Sequence, residues 1–219
     1  MKTIAVIRND FGSKFGLPRQ SGLVPELRSR IVFEPEYRVA EALRGIEGFS
    51  HLWLIWGFHR AQREGWSPTV RPPRLGGNAR LGVFATRSPF RPNPIGLSCV
   101  KLEAVETEPV LALLVSGCDM MDGTPVYDIK PYLPYADAHP EARGGFAPGP
   151  QEKRLQVVCP PEMLAKLPPE SRAALPELLA LDPRPAYQED PERVYGFDYA
   201  GRQVRFRVAE GVLTVTEIE

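Results

Sequence analysis

The sequence predicts a mainly β protein, with a β-barrel N-terminal domain and a small α+β C-terminal domain. Three observations carry this. Short stretches of alternating apolar and polar residues recur along the chain. The 24 prolines and 19 glycines interrupt nearly every helical pattern early. No GxGxxG follows a strand and no GxxxxGK[ST] is present, so a parallel nucleotide-binding sheet is not expected.

Taken in order, residues 3–7 alternate into a first strand, and 10–20 form a loop ending in PRQSG. Residues 27–33 read as a second strand. Pro35 sits where a first helical residue belongs, and Tyr37, Ala40 and Leu43 recur at helical spacing over 36–43. The aromatic run 49–58, FSHLWLIWGF, predicts a central strand buried on both faces. Residues 66–78 form a proline-rich loop, 81–86 and 95–102 are two strands, and 110–116 is another. In 95–102, Ile95, Leu97 and Cys99 share one face, with Gly96, Ser98 and Val100 on the other.

The first domain is expected to span 1–159, with a linker-like insertion at 138–154 (HPEARGGFAPGP). The strand at 155–159 is expected to return to that domain. Residues 160–219 hold short helices opened by Pro161 and Pro169, then three strands separated by turns at Ala200-Gly201 and Glu210-Gly211. About sixty residues make a poor core alone, so this unit should pack on the main domain or on another subunit.

The densest chemistry lies in 76–101. Between the expected strands, Arg87-Ser88-Pro89-Phe90-Arg91-Pro92-Asn93-Pro94 is neither helix nor interior strand, because three prolines remove donors and fix φ. That predicts a stiff hairpin loop carrying Arg87 and Arg91 on a backbone with little freedom left to lose. Guanidinium groups so held suit a carboxylate or phosphate; the plain alternative is a rigid hairpin whose arginines are merely solvated.

A second stretch, 118–137, clusters Asp119, Asp122, Asp128 and Asp137 with Lys130, Tyr127, Tyr132 and Tyr135. Carboxylates beside aromatics can hold ribose hydroxyls and a stacked base, and the plain alternative is a turn with solvated acids. No D-x-D-x-D-G loop or HExxH helix is present, so no metal is expected. His51 and His59 flank the aromatic run without a clustered carboxylate.

Lys plus Arg and Asp plus Glu balance at 27 each, which argues against general adhesion to polyanions. Yet residues 60–91 hold seven arginines against the single acid Glu64, a localised basic patch. Cys99, Cys118 and Cys159 form no CxxC pair and read as reduced core residues. The N-terminus lacks a signal-peptide pattern and the longest apolar run is too short for a bilayer, so a soluble cytoplasmic protein with no membrane association is expected. Together these features suit a small zwitterionic, adenosine-containing ligand: arginine to a carboxylate, aspartate to a ribose diol, aromatics to the ring.

PRQSGLV at 18–24, GFSHLWLI at 48–55, RPPRLGGNARLGVFATRSPFRPNPIGLS at 71–98, DGTPVYDIKPYLPYAD at 122–137 and DPRPAY at 182–187 closely resemble the TsaA-like TrmO family. These are S-adenosylmethionine-dependent tRNA methyltransferases. The resemblance implies a non-Rossmann β-barrel and N6-methylation of N6-threonylcarbamoyladenosine beside the anticodon. It also implies a homodimer with the cofactor near the subunit interface. Mapped onto this sequence, Arg91, Asp128 and Tyr132 would serve catalysis. Gln20, His51, Arg87, Ser88, Asn93, Gly96, Asp122, Gly123, Thr124 and Lys130 would surround S-adenosylmethionine. Asp182, Arg184, Pro185 and Tyr187 would contact the tRNA anticodon loop or the modified adenine. Two rivals are a non-catalytic RNA-binding module that uses bound S-adenosylmethionine as a signal, and a metal-dependent hydrolase built on Asp119, Asp122 and Asp128.

Overall fold

In a computed structural model, which describes residues 1–60, 65–147, 149, 155–184 and 190–219, twelve strands and three short helices are assigned. The strands are β1 (Ala5–Arg8), β2 (Arg28–Phe33), β3 (His51–Gly57), β4 (Thr69–Val70), β5 (Leu81–Gly82) and β6 (Ile95–Glu106). They continue as β7 (Ala112–Ser116), β8 (Pro125–Pro131), β9 (Gln156–Val158), β10 (Tyr195–Tyr199), β11 (Arg202–Ala209) and β12 (Val212–Ile218). The helices are α1 (Pro134–Asp137), α2 (Pro161–Leu164) and α3 (Ala174–Ala180).

Six strands close an antiparallel barrel in the order β1-β2-β7-β6-β3-β8. Alternation explains the closure. In β2, Ser29, Ile31 and Phe33 point inward while Arg28 and Arg30 face water. Leu52, Leu54 and Trp56 of β3, Val100 of β6, Leu113 and Val115 of β7 and Val126 of β8 meet them inside. A barrel this small is filled by its own side chains, so a ligand must sit at a mouth or on the wall.

Several sequence expectations change here. β3 is buried on one face, because in a closed barrel only alternate residues enter the core; Trp53 and Ile55 lie on the outer wall, half-buried. In β6 the small residues Gly96 and Ser98 face inward, leaving Ile95 and Leu97 outside at 36% and 56% exposure. Cys99 therefore lies on that wall and is not a core residue, whereas Cys118 is buried. Residues 36–43 form two 3-10 turns instead of an α-helix, with no buried residue to anchor a longer one. The strand at 81–86 shortens to β5 and pairs with β4, not with β6, so residues 83–94 are a long connection and not a hairpin.

The C-terminal body is a four-stranded sheet, β10-β11-β12-β9, packed under α3. The sequence assigns 155–159 to the first domain; instead β9 runs parallel to β12, with Val157 opposite Leu213. Leu155, Val157 and Cys159 pack on the apolar cluster that holds Leu175, Leu178 and Leu179, which the barrel interior has no room to offer. No helix among the described residues is long and apolar enough to cross a membrane.

β6 carries a bulge against β7 between Leu102 and Ala104, and Glu103 is the extra residue. Its carboxylate accepts the Ser116 hydroxyl at 2.7 Å and sits 2.9 Å from Arg28 and 3.2 Å from Lys101. The Ser116 hydrogen bond, then the two cations, hold its carboxyl down to about 2. A depressed acid stabilises the fold above its unfolded value, ~4.3, and that contribution is lost as pH falls through the folded one. Glu103→Gln should cost about 1 kcal/mol in urea denaturation at pH 7, as for partly exposed ion pairs. The difference from the parent should shrink between pH 4.5 and 2, on the same linkage; a constant difference would refute this origin for the stabilisation.

Candidate active site

The registers set Arg8 of β1, Arg28 of β2, Gly57 of β3, Ile95 of β6, Ser116 of β7 and Pro125 of β8 at one end of the barrel. The connections 9–27, 58–94 and 117–124 therefore share one mouth, and hydrogen bonds weave them together. The amides of Asp122 and Gly123 donate to the carbonyls of Phe11 and Ile7 at 2.9 and 2.8 Å. The Gly22 amide donates to Gly117 at 2.8 Å. Lys14 reaches the Arg60 carbonyl and Arg60 the Gly12 carbonyl, both at 2.9 Å.

At the centre, the Trp56 indole lies against Gly96. A Cβ there would come within 2.1 Å of the ring, so no other residue fits. The indole N–H donates to Ser98 at 3.0 Å, and the Ser98 hydroxyl donates to Asp119 at 2.7 Å. Burial pushes the Asp119 carboxyl above the usual carboxylate range, opposed by hydrogen bonds from Ser98 and backbone amides, including that of Ser21, and by the nearby Arg87 guanidinium. Arg87 itself donates to the Gln20 side chain. Asn9 braces the floor: its side-chain amide donates to Ser29 at 3.1 Å and to the Met120 carbonyl at 2.8 Å, and its backbone amide donates to Asp122 at 3.1 Å. Asp122 also pairs with Arg8 at 3.3 Å.

The arginine loop is ordered from within. The Ser88 amide donates to the Thr86 hydroxyl and the Phe90 amide to the Ser88 hydroxyl, both at 3.2 Å. The Arg91 guanidinium reaches back to the Thr86 and Ser88 carbonyls at 3.1 and 3.4 Å, holding Arg87 and Ser88 from behind. Asn93 caps the entry to β6 through its carbonyl, which accepts the Ile95 amide. His59 stands 3.5 Å from the Thr124 hydroxyl, and burial followed by Arg60 and Lys14 lowers its pKa.

The sequence-predicted residues fall into three groups. Gln20, Arg87, Ser88, Arg91, Asn93, Gly96, Asp122, Gly123 and Thr124 meet at the mouth. His51, Asp128, Lys130 and Tyr132 do not; they lie along the outer wall and the exit of β8, where Asp128 opposes Ile55 and Lys130 opposes Trp53. There Asp128 pairs with Lys130 at 3.1 Å, while Tyr132 lies against the His51 and Trp53 rings. Asp182 and Arg184 sit beyond α3 as a bidentate pair, 2.8 Å at each contact. Pro185 and Tyr187 lie outside the described residues.

Asp119, Asp122 and Asp128 each engage a different partner, so the carboxylate trio of the hydrolase reading does not converge. No cluster of three metal-ligating side chains occurs among the described residues. Sequence reasoning missed Asn9, Ser98 and Trp56. The small inward pair Gly96 and Ser98, facing an aromatic strand, was the available signal for the last two.

The loop 9–27 belongs to two bodies at once. Asn9, Gln20 and Ser21 serve the mouth, while Phe11, Val24 and Leu27 are buried in the core of the C-terminal sheet. Gly16, at φ +86, lies under Phe197, where a Cβ would meet the ring at 2.7 Å. Asp10 accepts the Ser171 hydroxyl at 2.6 Å. A non-Rossmann barrel whose rigid arginine loop faces half-buried carboxylates across one mouth defines a class of small-ligand-binding barrel protein.

Comparison with known proteins specifies that class. Residues 6–138 match the tRNA-methyltransferase O N-terminal domain, and 152–219 match the TrmO C-terminal domain. The tRNA (adenine(37)-N6)-methyltransferase of Escherichia coli K12 is 44% identical, over 99% of this chain and 96% of its own. A Pseudomonas aeruginosa relative provisionally described as an S-adenosylmethionine-dependent methyltransferase is 45% identical, over 88% and 85%. The crystal structure of TrmO from Pseudomonas aeruginosa superposes with a TM-score of 0.82 at 35% identity, over 100% of this chain and 96% of that one. The chain belongs to the TrmO family.

Gly96→Ala should displace the Trp56 indole from Ser98 and cost about 1–3 kcal/mol in urea denaturation, as overpacked cores do. Gly48→Ala, where a Cβ meets nothing within 4 Å, is the control; equal costs for the two variants would contradict the close packing of Trp56 on Gly96 as the cause.

Proposed function

We propose that this protein methylates N6 of adenosine 37 in tRNA with S-adenosylmethionine as donor, and that the adenosine accepted carries the N6-threonylcarbamoyl group. The observation that carries the reading is the convergence, at one mouth, of 18–22, 86–94 and 117–124, all within the part of the chain that matches the family's N-terminal domain.

The residues present suit the donor. Arg87, exposed and hydrogen-bonded to Gln20, offers its remaining donors to an amino-acid carboxylate. The Asp122 carboxylate suits a ribose diol, and the half-buried Asp119 lies beside Arg87 at the same mouth. S-adenosylmethionine, when bound, would supply an electrophilic methyl group, with the C–S bond broken as the N6–C bond forms, S-adenosylhomocysteine leaving as the thioether and the N6 proton passing to water.

What this chain adds is mainly alignment, which can supply most of the rate in a displacement of this kind. Three prolines and the Arg91 guanidinium hold the loop, so Arg91 acts by positioning Arg87 and Ser88. The closed 9–27 loop keeps Gln20 across from it. His51 and Tyr132 lie at the far end of β3 and β8, and Asp128 stands on the outer wall opposite Ile55, which favours a site completed by a second copy.

The wall itself supports a homodimer. Leu97 and Ile95 are exposed beside half-buried Trp53, Ile55 and Cys99, an apolar strip that water alone would not favour. A partner covering it would lie beside Asp128, Lys130 and Tyr132. The C-terminal body, with Asp182, Arg184, Pro185 and Tyr187, is the part assigned to the tRNA. The same reading implies a cytoplasmic protein that needs no metal.

Mass spectrometry of nucleosides should find one added methyl only when the tRNA carries the threonylcarbamoyl group, with turnover unchanged by chelator. Methyl addition to unmodified tRNA would reject the substrate requirement, and chelator sensitivity would revive the hydrolase-like reading. Arg87→Ala should lower kcat/KM on the order of a hundredfold, the scale of a misplaced reactant, with the urea midpoint unchanged; full turnover would remove Arg87 from the site.

A further inference from the structure

β4 and β5 pair only with each other, Thr69 opposite Gly82 and Val70 opposite Leu81, and stand off the barrel as a two-stranded ribbon. The ribbon is firmly rooted. The Val83 amide donates to the Pro68 carbonyl at 2.9 Å, the Val83 side chain is buried at 1% exposure, and Ser67 closes a turn onto Thr69. On this rigid base Trp66 and Phe84 are left 54% and 71% exposed. Their rings stand side by side, with centroids 6.1 Å apart and planes inclined by 31°. A two-residue ribbon has no core to bury them in, so the pair presents aromatic faces to solvent.

Cations lie further along the same ribbon. Arg71 follows β4, Arg80 precedes β5 and Arg74 lies in the turn between; all three are exposed. None joins an ion pair among the described residues; Arg80 contacts the Thr69 hydroxyl and Arg74 a backbone carbonyl. Exposed aromatics at the base of a ribbon whose far end carries arginines are complementary to a stacked base with phosphates along its strand, which is the chemistry of unpaired nucleotides. The ribbon also emerges from the mouth, since 83–94 leads from β5 straight to Arg87.

We infer that Trp66 and Phe84 form a stacking platform for an unpaired base of the RNA substrate, with Arg71 and Arg80, at the far end of the ribbon, holding phosphates further along the same strand. This rests on the tRNA-methylation reading. The platform fixes the register of the loop, so that the acceptor adenosine reaches the mouth while its neighbour is held outside.

The test is the steady-state kinetics of the full-length Trp66→Ala, Phe84→Ala double variant with threonylcarbamoyl-bearing tRNA, beside its affinity for S-adenosylmethionine and its sedimentation. Loss of a base–aromatic stack should raise the KM for tRNA roughly tenfold or more, leaving cofactor affinity and sedimentation as in the parent. Trp66→Phe should restore KM while losing the tRNA-induced quenching of tryptophan emission expected of the parent. A parent that methylates tRNA, with an unchanged KM in the double variant, overturns the inference alone. A changed sedimentation coefficient overturns it in favour of a second copy covering the pair. A parent that does not methylate or bind tRNA brings down the function reading and this inference together.

Discussion

A tryptophan inside a six-stranded barrel must find a partner for its single N–H, and the way Trp56 does so organises the functional end of this protein. Its indole can approach β6 only because position 96 lacks a side chain. It then donates to Ser98, which passes the bond outward to Asp119. A buried polar chain of this kind is stable only when every member is satisfied. The Asp119 carboxylate, half-buried and raised in pKa by burial, is met by the Ser21 amide and the Arg87 guanidinium. One core contact thereby fixes the relative positions of three loops that are far apart in sequence.

The second constraint is the sharing of the 9–27 loop. Such a connection would ordinarily be mobile, because it has too few contacts of its own. Here Phe11, Val24 and Leu27 are buried in the C-terminal core, and Asp10 is bonded to Ser171. The smaller body therefore does more than append a second surface. It supplies the apolar environment that holds Asn9 and Gln20 in place, and its own core is completed by residues from the first part of the chain, which answers the shortage expected of some sixty residues.

Strand periodicity alone makes most of the barrel legible. The alternation in 27–33 and 95–102 and the turns at 200–201 and 210–211 all correspond to observed strands and bends. What periodicity does not give is which face turns inward. In β6 the apolar alternates lie outside, because the space inside is taken by Trp56, and a side chain's inward partner is not written in its own strand. The long-range pairings fail for the same reason: 81–86 and 95–102 look like a hairpin, yet β6 lies between β3 and β7. Likewise 155–159 has no local mark to say that β12 would offer it an edge. Of the candidate site, the Arg87 loop and the turn at 122–124 stand out through proline and glycine chemistry. Asn9 and Ser98 do not, since each is a single ordinary residue until the loops close over it.

The mouth and the opposite rim compete as places for a ligand, since 34–48 and 107–111 also border shallow clefts. Charge and hydrogen-bonding chemistry favour the mouth. Amide hydrogen exchange with and without S-adenosylmethionine separates the two most directly. A cofactor held at the mouth should slow exchange in 18–22, 86–94 and 117–124, with the opposite rim unaffected. Protection confined to 34–48 and 107–111, with the mouth unchanged by a bound cofactor, would contradict that placement.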